Sequence, residues 1–488
     1  MSEISSAAAA AKEVAAAFLF ANMYTYLPFY FERSNGLYLV SNIFRDFIYL
    51  TEDEFRAFES RSISKDSELY SRLVDKNFIY SEDKSDEYTS IYLKTHENLF
   101  ESTFLHIFVL TLDCNLVCRY CQAEAKDFAN CNTNMTVETA DKAVDISLSC
   151  PTESLRIEFQ GGEPLLNFPV LQYIVNEFNR RKGDRKISFS IVTNTHAMTE
   201  EICDWLIENK VNLCFSFDGS RTIHDFNRPA KDSRSNYDSV CRWKQYCTEK
   251  GVHVGLLPTV TRCTIEHPRD FYDALNSNGV KSFSLRELAP LGRCLKNWSE
   301  IGYTADEFFN FYKTIIGFML ESYKKGERVM EIYTHMYLRL LYTKEPNYFT
   351  DLKSPCGAGI GQMAYNWNGK IYSCDEGRMI SNSGDETFCI GDVNCTYKEC
   401  MASENLTDIC CASCIDAHPV CKDCVFNPIC GICPAYNYSQ THTLLGISAQ
   451  SDRCRIFKRI IFYILDNVEN DTETGKMFRD WAGSDILP

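Results

Sequence analysis

The sequence has no long basic run. Lys and Arg total 50 against 66 Asp and Glu, a net charge of −16 over 488 residues. Gripping a phosphate backbone depends on Lys and Arg, so this balance argues against nucleic-acid binding and suits a basic or neutral partner. No stretch of 18 apolar residues is free of charge or strong polarity, so no membrane span is expected. The start, MSEISSAAAAAKEVAAAFLF, lacks the basic n-region of an export signal, and alanine is too weakly apolar to span a bilayer. It reads as a frayed helix or an expression remnant. Without an export signal the chain is expected in the cytoplasm, where thiols stay reduced.

Aromatic and aliphatic residues are abundant: 45% of the chain is hydrophobic, with 32 Phe and 27 Tyr, enough for a sizeable core. The length is that of about three domains, or of one large barrel with additions. Cysteine is also abundant, at 24 residues, thirteen of them from Cys356 onward. In a reducing compartment such clustering points to metal or iron–sulfur ligation rather than disulfides.

Residues 20–98 read as a small winged-helix-like module. LPFYFER and LYLVSN flank the turn SNG as two strands, TEDEFRAFES carries a capping box, and DSELYSRLVDKNFIYS reads as a helix followed by a strand. From about 103 to 325, six apolar runs (LHIFVLTL, LRIEFQGG, ISFSIVTN, NLCFSFDG, VHVGLLPTV, SFSLREL) alternate with amphipathic helical segments. In one of these, Leu171, Ile174, Val175 and Phe178 share a helical face. Six β–α units predict an α/β fold with a parallel sheet, an open barrel or a doubly wound sheet, with reactive groups at the C-terminal strand ends. From about 350 to 470 the periodicity fades into Gly, turns and Cys, before a helix at CRIFKRIIFYILDNV.

The stretch LDCNLVCRYC places Cys114, Cys118 and Cys121 just after the first of these strands. A triplet of this spacing arises by chance about 0.06 times in such a chain. A four-iron cube held by three cysteines keeps one iron open, as a catalytic metal does. Farther on, Cys356, Gly369 and Cys374 form C-x12-G-x4-C, and Cys421, Cys424, Cys430 and Cys433 form C-x2-C-x5-C-x2-C, with Cys454 following alone. Zinc ribbons are the competing reading of these seven cysteines.

The C-x3-C-x2-C loop, with Tyr120 before its third cysteine, resembles the radical S-adenosylmethionine (SAM) superfamily. FQGGEPLL, with Gly161, Gly162, Glu163 and Pro164, is similar to that family's GGEP motif, VTNT supplies Asn194, and SFDGSRTIHDFNR resembles the SxDG…HD…R stretch of its peptide-modifying branch. The resemblance implies a partial (β/α)6 barrel and a 4Fe–4S cluster on the three cysteines. It also implies SAM bound through Tyr120, Gly161, Gly162, Glu163, Asn194, Ser216 and Arg228. Glu163 would accept from the methionine ammonium and Arg228 would pair the carboxylate. His224 and Asp225 are expected to be structural.

The C-terminal array resembles the SPASM domain, although its last spacing is C-x2-C where the family has C-x3-C. This implies two auxiliary 4Fe–4S clusters, the outer on Cys421, Cys424, Cys430 and Cys454 and the inner on Cys356, Cys374 and Cys433. Cys294, Cys411 and Cys414 are candidates for the inner cluster's fourth ligand. Cys389, Cys395, Cys400 and Cys410 match no role. Asp375, after Cys374, stands where sulfatase-maturing relatives carry a base, or else holds the cysteine loop by hydrogen bonds. Across most of the chain the motifs resemble the His-Xaa-Ser system radical SAM maturases, B type. That resemblance implies a ribosomally made precursor peptide as substrate, a flavodoxin or ferredoxin as electron donor, a second maturase as partner, and leader-peptide recognition by the N-terminal module. A formylglycine-making sulfatase maturase is the rival enzyme, and a zinc-binding scaffold the rival from another class.

Overall fold

The computed structural model describes residues 24–99, 102–123, 132–345 and 352–484. The Ala-rich start, residues 20–23 of the expected N-terminal module and residues 350–351 lie outside them. The chain divides into two compact units, one running to Thr95 and including Asp423–Ile429, the other comprising His96–Lys422 and Cys430 onward.

In the first unit, β1 (Phe29–Ser34), β2 (Leu37–Asn42) and β3 (Phe47–Leu50) form an antiparallel sheet in that order. Asn35 and Gly36, both at positive φ, make the two-residue hairpin turn that matches strand twist. Thr51 caps helix Glu52–Glu59 through the expected capping box. Helices Glu68–Asp75 and Ser85–Thr95 follow. Val40, Leu50, Phe55, Phe58, Leu73 and Phe78 form the core. The segment 423–429 joins this unit through a hydrogen bond from Ser41 Oγ to the Val425 carbonyl (2.5 Å). All three strands precede the helices. The strand expected near residue 79 is a single bridge between Tyr26 and Ile79, so this order of elements does not establish the winged-helix expectation.

The second unit is built on an eight-stranded sheet of order β13-β12-β11-β4-β5-β6-β7-β8. The strands are β4 (Leu105–Val109), β5 (Ser154–Gln160), β6 (Lys186–Thr193), β7 (Val211–Ser216), β8 (Val254–Leu257), β11 (Gln362–Tyr365), β12 (Lys370–Tyr372) and β13 (Cys389–Asp392). β4 to β8 are parallel neighbours, crossed over by helices Val137–Ser149, Phe168–Arg181, Glu200–Glu208 and Asn236–Glu249. On β5, Leu155, Ile157 and Phe159 are buried on one face, while Arg156, Glu158 and Gln160 lie on the other. β11 continues the sheet parallel to β4, and β12 and β13 extend it antiparallel.

The sixth expected unit departs from this pattern: β9 (Ser282–Phe283) pairs with β10 (Met330–Glu331) instead of β8. Two residues of strand leave little ladder to compete for the sheet edge, and the Glu331 carboxylate takes the Leu285 N–H that a neighbouring strand would otherwise receive. Helices Asp452–Glu469 and Glu473–Ala482 pack with Ala305–Lys324 and Ile332–Tyr342.

Candidate active site

The three-cysteine loop follows β4 and is pinned from two sides. After β5, the Gly162 N–H donates to the Thr111 carbonyl (2.7 Å) and the Glu163 N–H to the Asp113 carbonyl (2.8 Å). A Cβ on Gly161 would stand 2.4 Å from Thr111 O, and one on Gly162 2.2 Å from Asp113 O. The glycines therefore let two strand-end loops touch backbone to backbone, which no larger residue permits. On the other side the loop zips against 227–231, with Val117 N–H to Pro229 O, Arg119 N–H to Asn227 O and Lys231 N–H to Asn115 O, at 2.8 to 3.0 Å.

This pinning brings Cys114, Cys118 and Cys121 within electrostatic reach of one another. Burial, with the neighbouring thiols, pushes Cys114 far up; burial pushes Cys118 up to about 12, against the pull of Arg228. Cys114 Sγ accepts from the Leu116 N–H (3.4 Å) and from Asn194 Nδ2 (3.5 Å). N–H groups aimed at sulfur suit a metal-bound thiolate, whose charge they stabilise.

The other expected SAM residues surround this loop. Glu163 is buried; its Oε1 accepts from the Leu165 N–H (3.1 Å) and Thr193 Oγ1 (2.7 Å), and its Oε2 from the Asn194 N–H (2.8 Å). A carboxylate has about four acceptor sites, so about one remains on Oε2. Burial pushes its pKa up to about 7 against those three donors. Asn194 Nδ2 also donates to Asn115 Oδ1 (2.9 Å). Ser216 ends β7 without a side-chain hydrogen bond among the described residues, leaving its hydroxyl for a ligand.

Arg228 is not waiting for a ligand alone. It pairs bidentately with Asp218, Nε to Oδ2 at 3.0 Å and Nη2 to Oδ1 at 3.1 Å. Tyr120 OH donates to the same carboxylate (2.7 Å), and the Arg228 guanidinium stands 5.1 Å from the Tyr120 ring centroid. The Thr259 N–H adds a fourth donor to Asp218 (3.0 Å). The Asp218 N–H donates to His224 Nδ1 (3.2 Å), which leaves Nε2 to donate to Asn236 Oδ1 (2.9 Å); Asn236 Nδ2 then donates to the Asn194 carbonyl. Asp225 accepts from Ser235 Oγ and the Tyr237 N–H. His224 and Asp225 thus brace the loops. Asp218 is the residue the sequence reading overlooked, although it stands inside the quoted SFDG.

A second group lies where β11 to β13 extend the sheet. Cys356, Cys374 and Cys433 share one apolar cluster with Tyr372 and Phe388, and the Cys374 thiol, raised mainly by burial, feels the other two. Cys374 Sγ accepts from the Gly377 N–H (3.2 Å) and Cys433 Sγ from the Tyr436 N–H (3.4 Å). Ser413, between Cys411 and Cys414, accepts from the Cys356 N–H (2.9 Å) and so anchors that segment at Cys356. Burial alone pushes Cys294 up to about 12. Of the outer set, Cys424 belongs to the first unit, and Cys421, Cys430 and Cys454 to the second. Cys395 and Cys400 crowd Gly391, where a Cβ would meet their sulfurs at 3.4 and 3.0 Å. Asp375 is buried beside Cys374, its Oδ1 held by Arg378 Nη2 (2.6 Å) and Nε (3.2 Å). Glu158, on β5, is a further carboxyl the sequence reading missed; burial first, and Asp375 among nearby charges, raise it, while Gln160 Nε2 donates to it (2.5 Å).

The donor set fits an iron–sulfur cluster at each group: Cys114, Cys118 and Cys121 act on one another in pairs, Cys374 feels both Cys356 and Cys433, and Cys114, Cys374 and Cys433 each accept an N–H bond. Among the described residues, no three His, Cys, Asp or Glu side chains are grouped to hold a single metal ion.

Residues 105–232 match the family model of the 4Fe-4S single cluster domain. An uncharacterized protein of Methanocaldococcus jannaschii is 31% identical over 184 residues, 38% of this chain and 62% of that one, so the chain spans under two thirds of this relative. The radical SAM cyclopropyl synthase TigE of Paramaledivibacter caminithermalis is 24% identical over 69% of each chain. A cysteine-type anaerobic sulfatase-maturating enzyme of Clostridium perfringens is 24% identical over 73% of this chain and 96% of its own. Among solved structures, native anSMEcpe with bound AdoMet superposes with a TM-score of 0.65 at 21% identity, covering 75% of this chain and 98% of that one. Streptococcus suis SuiB bound to precursor peptide SuiA gives 0.53 at 15%, covering 87% and 98%. The α/β fold with its mixed sheet is similar to the folds of these two solved structures.

Proposed function

We propose that the chain is a radical SAM peptide maturase: it modifies a ribosomally synthesised peptide after hydrogen abstraction from one residue, leaving a crosslink or an oxidised residue. The observation that carries this reading is the convergence of Cys114, Cys118 and Cys121 with Glu163, Asn194 and Arg228 at the strand ends, beside a second cysteine group bearing Asp375. The cluster and SAM, when bound, supply the deoxyadenosyl radical chemistry.

The chain's own residues bind, orient and move protons. Cys114, Cys118 and Cys121 would hold the reactive cluster, and Cys356, Cys374 and Cys433 the inner auxiliary one, with Cys421, Cys424, Cys430 and Cys454 assigned to the outer. The Glu163 Oε2 acceptor would take the methionine ammonium. Ser216 and Asn194 would contact SAM from the ends of β7 and β6. Arg228, fixed by Asp218, would present its remaining Nη1 to the carboxylate. Asp375 would receive a proton at Oδ2, the oxygen Arg378 leaves unused.

SuiB, solved with its precursor peptide, supports a peptide substrate for this chain. The edge strand β1 of the first unit, with Phe31 exposed, would take a leader segment by strand addition. The His-Xaa-Ser B-type assignment, a flavodoxin or ferredoxin donor, a second maturase and a cytoplasmic location belong to the same proposal. Among the described residues no helix is long and apolar enough to cross a membrane.

A second reading, formylglycine formation on a sulfatase, is favoured by Asp375 next to Cys374 and by the extent of the C. perfringens match. Anaerobic co-expression with each small peptide encoded beside the gene, and separately with a sulfatase peptide, decides between the two by mass spectrometry. A mass change in a neighbouring peptide alone is expected. Conversion of the sulfatase peptide alone would replace the first reading with the second.

A further inference from the structure

The backbone carbonyls of the three-cysteine loop are held by a segment that no family motif marks. Gly292, at φ 58° and ψ −132°, a conformation open to glycine, turns the chain into the short helix Arg293–Lys296. There the Arg293 N–H donates to the Cys121 carbonyl (3.0 Å). The Arg293 side chain reaches the Cys118 carbonyl through Nη1 (3.2 Å). Asn297 Nδ2 donates to the Arg119 carbonyl (2.8 Å). Five residues thus satisfy three carbonyls in a loop of four, Cys118 to Cys121.

Charge is arranged with equal economy. Two guanidinium groups act on Cys118, those of Arg228 and Arg293, while Asp218 acts against them. Arg228, bidentate with Asp218, is the stronger of the two at Cys118. Arg293 points its guanidinium at the loop backbone itself. Adding an electron to a buried iron–sulfur centre adds negative charge, and a cation a few ångströms away stabilises the reduced form.

We propose that Arg293 and Asn297 are positioning residues of the three-cysteine loop, and that the Arg293 charge sets how readily the cluster held there is reduced. This rests on the reading that Cys114, Cys118 and Cys121 hold a 4Fe–4S cluster.

The test is an anaerobic redox titration of the reconstituted full chain, read by electron paramagnetic resonance. No peptide is present, and the signal that shifts when SAM is added identifies the cluster. Arg293→Met is expected to lower the reduced-to-oxidised ratio about tenfold at fixed potential, a shift of about 59 mV for one electron. Arg293→Lys keeps the charge but not the fork, so it should titrate near the wild type while losing iron faster to a chelator. Asn297→Ala should titrate as the wild type and also lose iron faster. An Arg293→Met protein that titrates like the wild type with its cluster loaded would overturn the electrostatic role. If Arg293→Met fails to load, an Arg293→Lys protein shifted by about tenfold does the same, since charge would then not be the controlling variable. Wild-type chelation kinetics in both Arg293→Lys and Asn297→Ala would remove the positioning role. A wild-type protein with no SAM-responsive signal would instead sink the cluster assignment on which the proposal stands.

Discussion

The two cysteine groups of the second unit are built by different means. Cys114, Cys118 and Cys121 sit on a loop with no helix or strand of its own, held mainly by its neighbours: Gly161 and Gly162 on one side, 227–231 on another, and Arg293 with Asn297 at its carbonyls. Cys374 and Cys433 are the N-cap residues of helices Asp375–Ile380 and Pro434–Thr441, and each sulfur accepts the N–H that a capping oxygen normally would. The first group is thus defined by tertiary contact and the second mainly by local structure. A third set of thiols behaves differently again: Cys150, Cys389 and Cys414 are placed to donate to carbonyls. Cys414, a candidate fourth ligand, is among these donors, and Cys114, which accepts two N–H groups, also reaches Asn115 Oδ1 as a donor (4.0 Å), so donor or acceptor character does not by itself separate expected ligands from cysteines that pack. Cys430, beside the Gly431 carbonyl, falls with the donors despite its expected ligand role.

The contrast is broken most directly at Cys118. Cys118→Ala should abolish reductive SAM cleavage while iron and sulfide at the C-terminal cysteines persist, because Cys374 and Cys433 depend on their own helix caps. Cleavage assays with iron analysis check this; loss of all iron would show that the two groups do not load independently. Asp375→Asn comes next. It should retain SAM cleavage and cut peptide product by about 10²–10⁴-fold, the usual range for loss of a positioned base. An unchanged product yield would leave Asp375 as a structural partner of Arg378.

The same contrast explains what could be read from residues alone. The β–α alternation placed β4 to β8 and their helices, since apolar runs and helical faces report local burial. It did not reveal that β9 would leave the sheet, or that β11 would join β4, because edge pairing depends on partners far away in sequence. Individual motifs marked the cysteines, Glu163 and Asn194, but spacing says nothing of who neutralises whom. Asp218 and Glu158 were missed for that reason: an acid on or just after a strand has no pattern until its Arg, Tyr or Gln partner is brought to it.

Asp218 offers a third test. The loop-borne site depends on its ion pair with Arg228, whereas the helix-capped site does not. Asp218→Asn leaves a buried guanidinium without its counter-charge, a loss of about 3–5 kcal/mol. Thermal unfolding of the cluster-free protein should show the drop. Cys374 and Cys433 in the loaded variant should keep their iron, and a melting temperature equal to wild type would mean that Arg228 finds another anion.

The smallest expected effect is a pH dependence confined to the loop-borne site. Burial raises Glu163 to about 7, so near neutrality it is only partly ionised in the SAM-free protein. Binding an ammonium favours the carboxylate, so SAM binding must release the proton that Glu163 carries below that pH. Affinity should therefore rise with pH up to about 7 and level off above it, roughly tenfold weaker at pH 6 than at pH 8 for one coupled group. Equilibrium dialysis of SAM against the reconstituted protein measures this. Glu163→Gln should bind more weakly and lose the slope, since its amide does not titrate. A slope that survives the substitution would place the titrating group elsewhere, and the acceptor left on Oε2 would then not be the ammonium's partner.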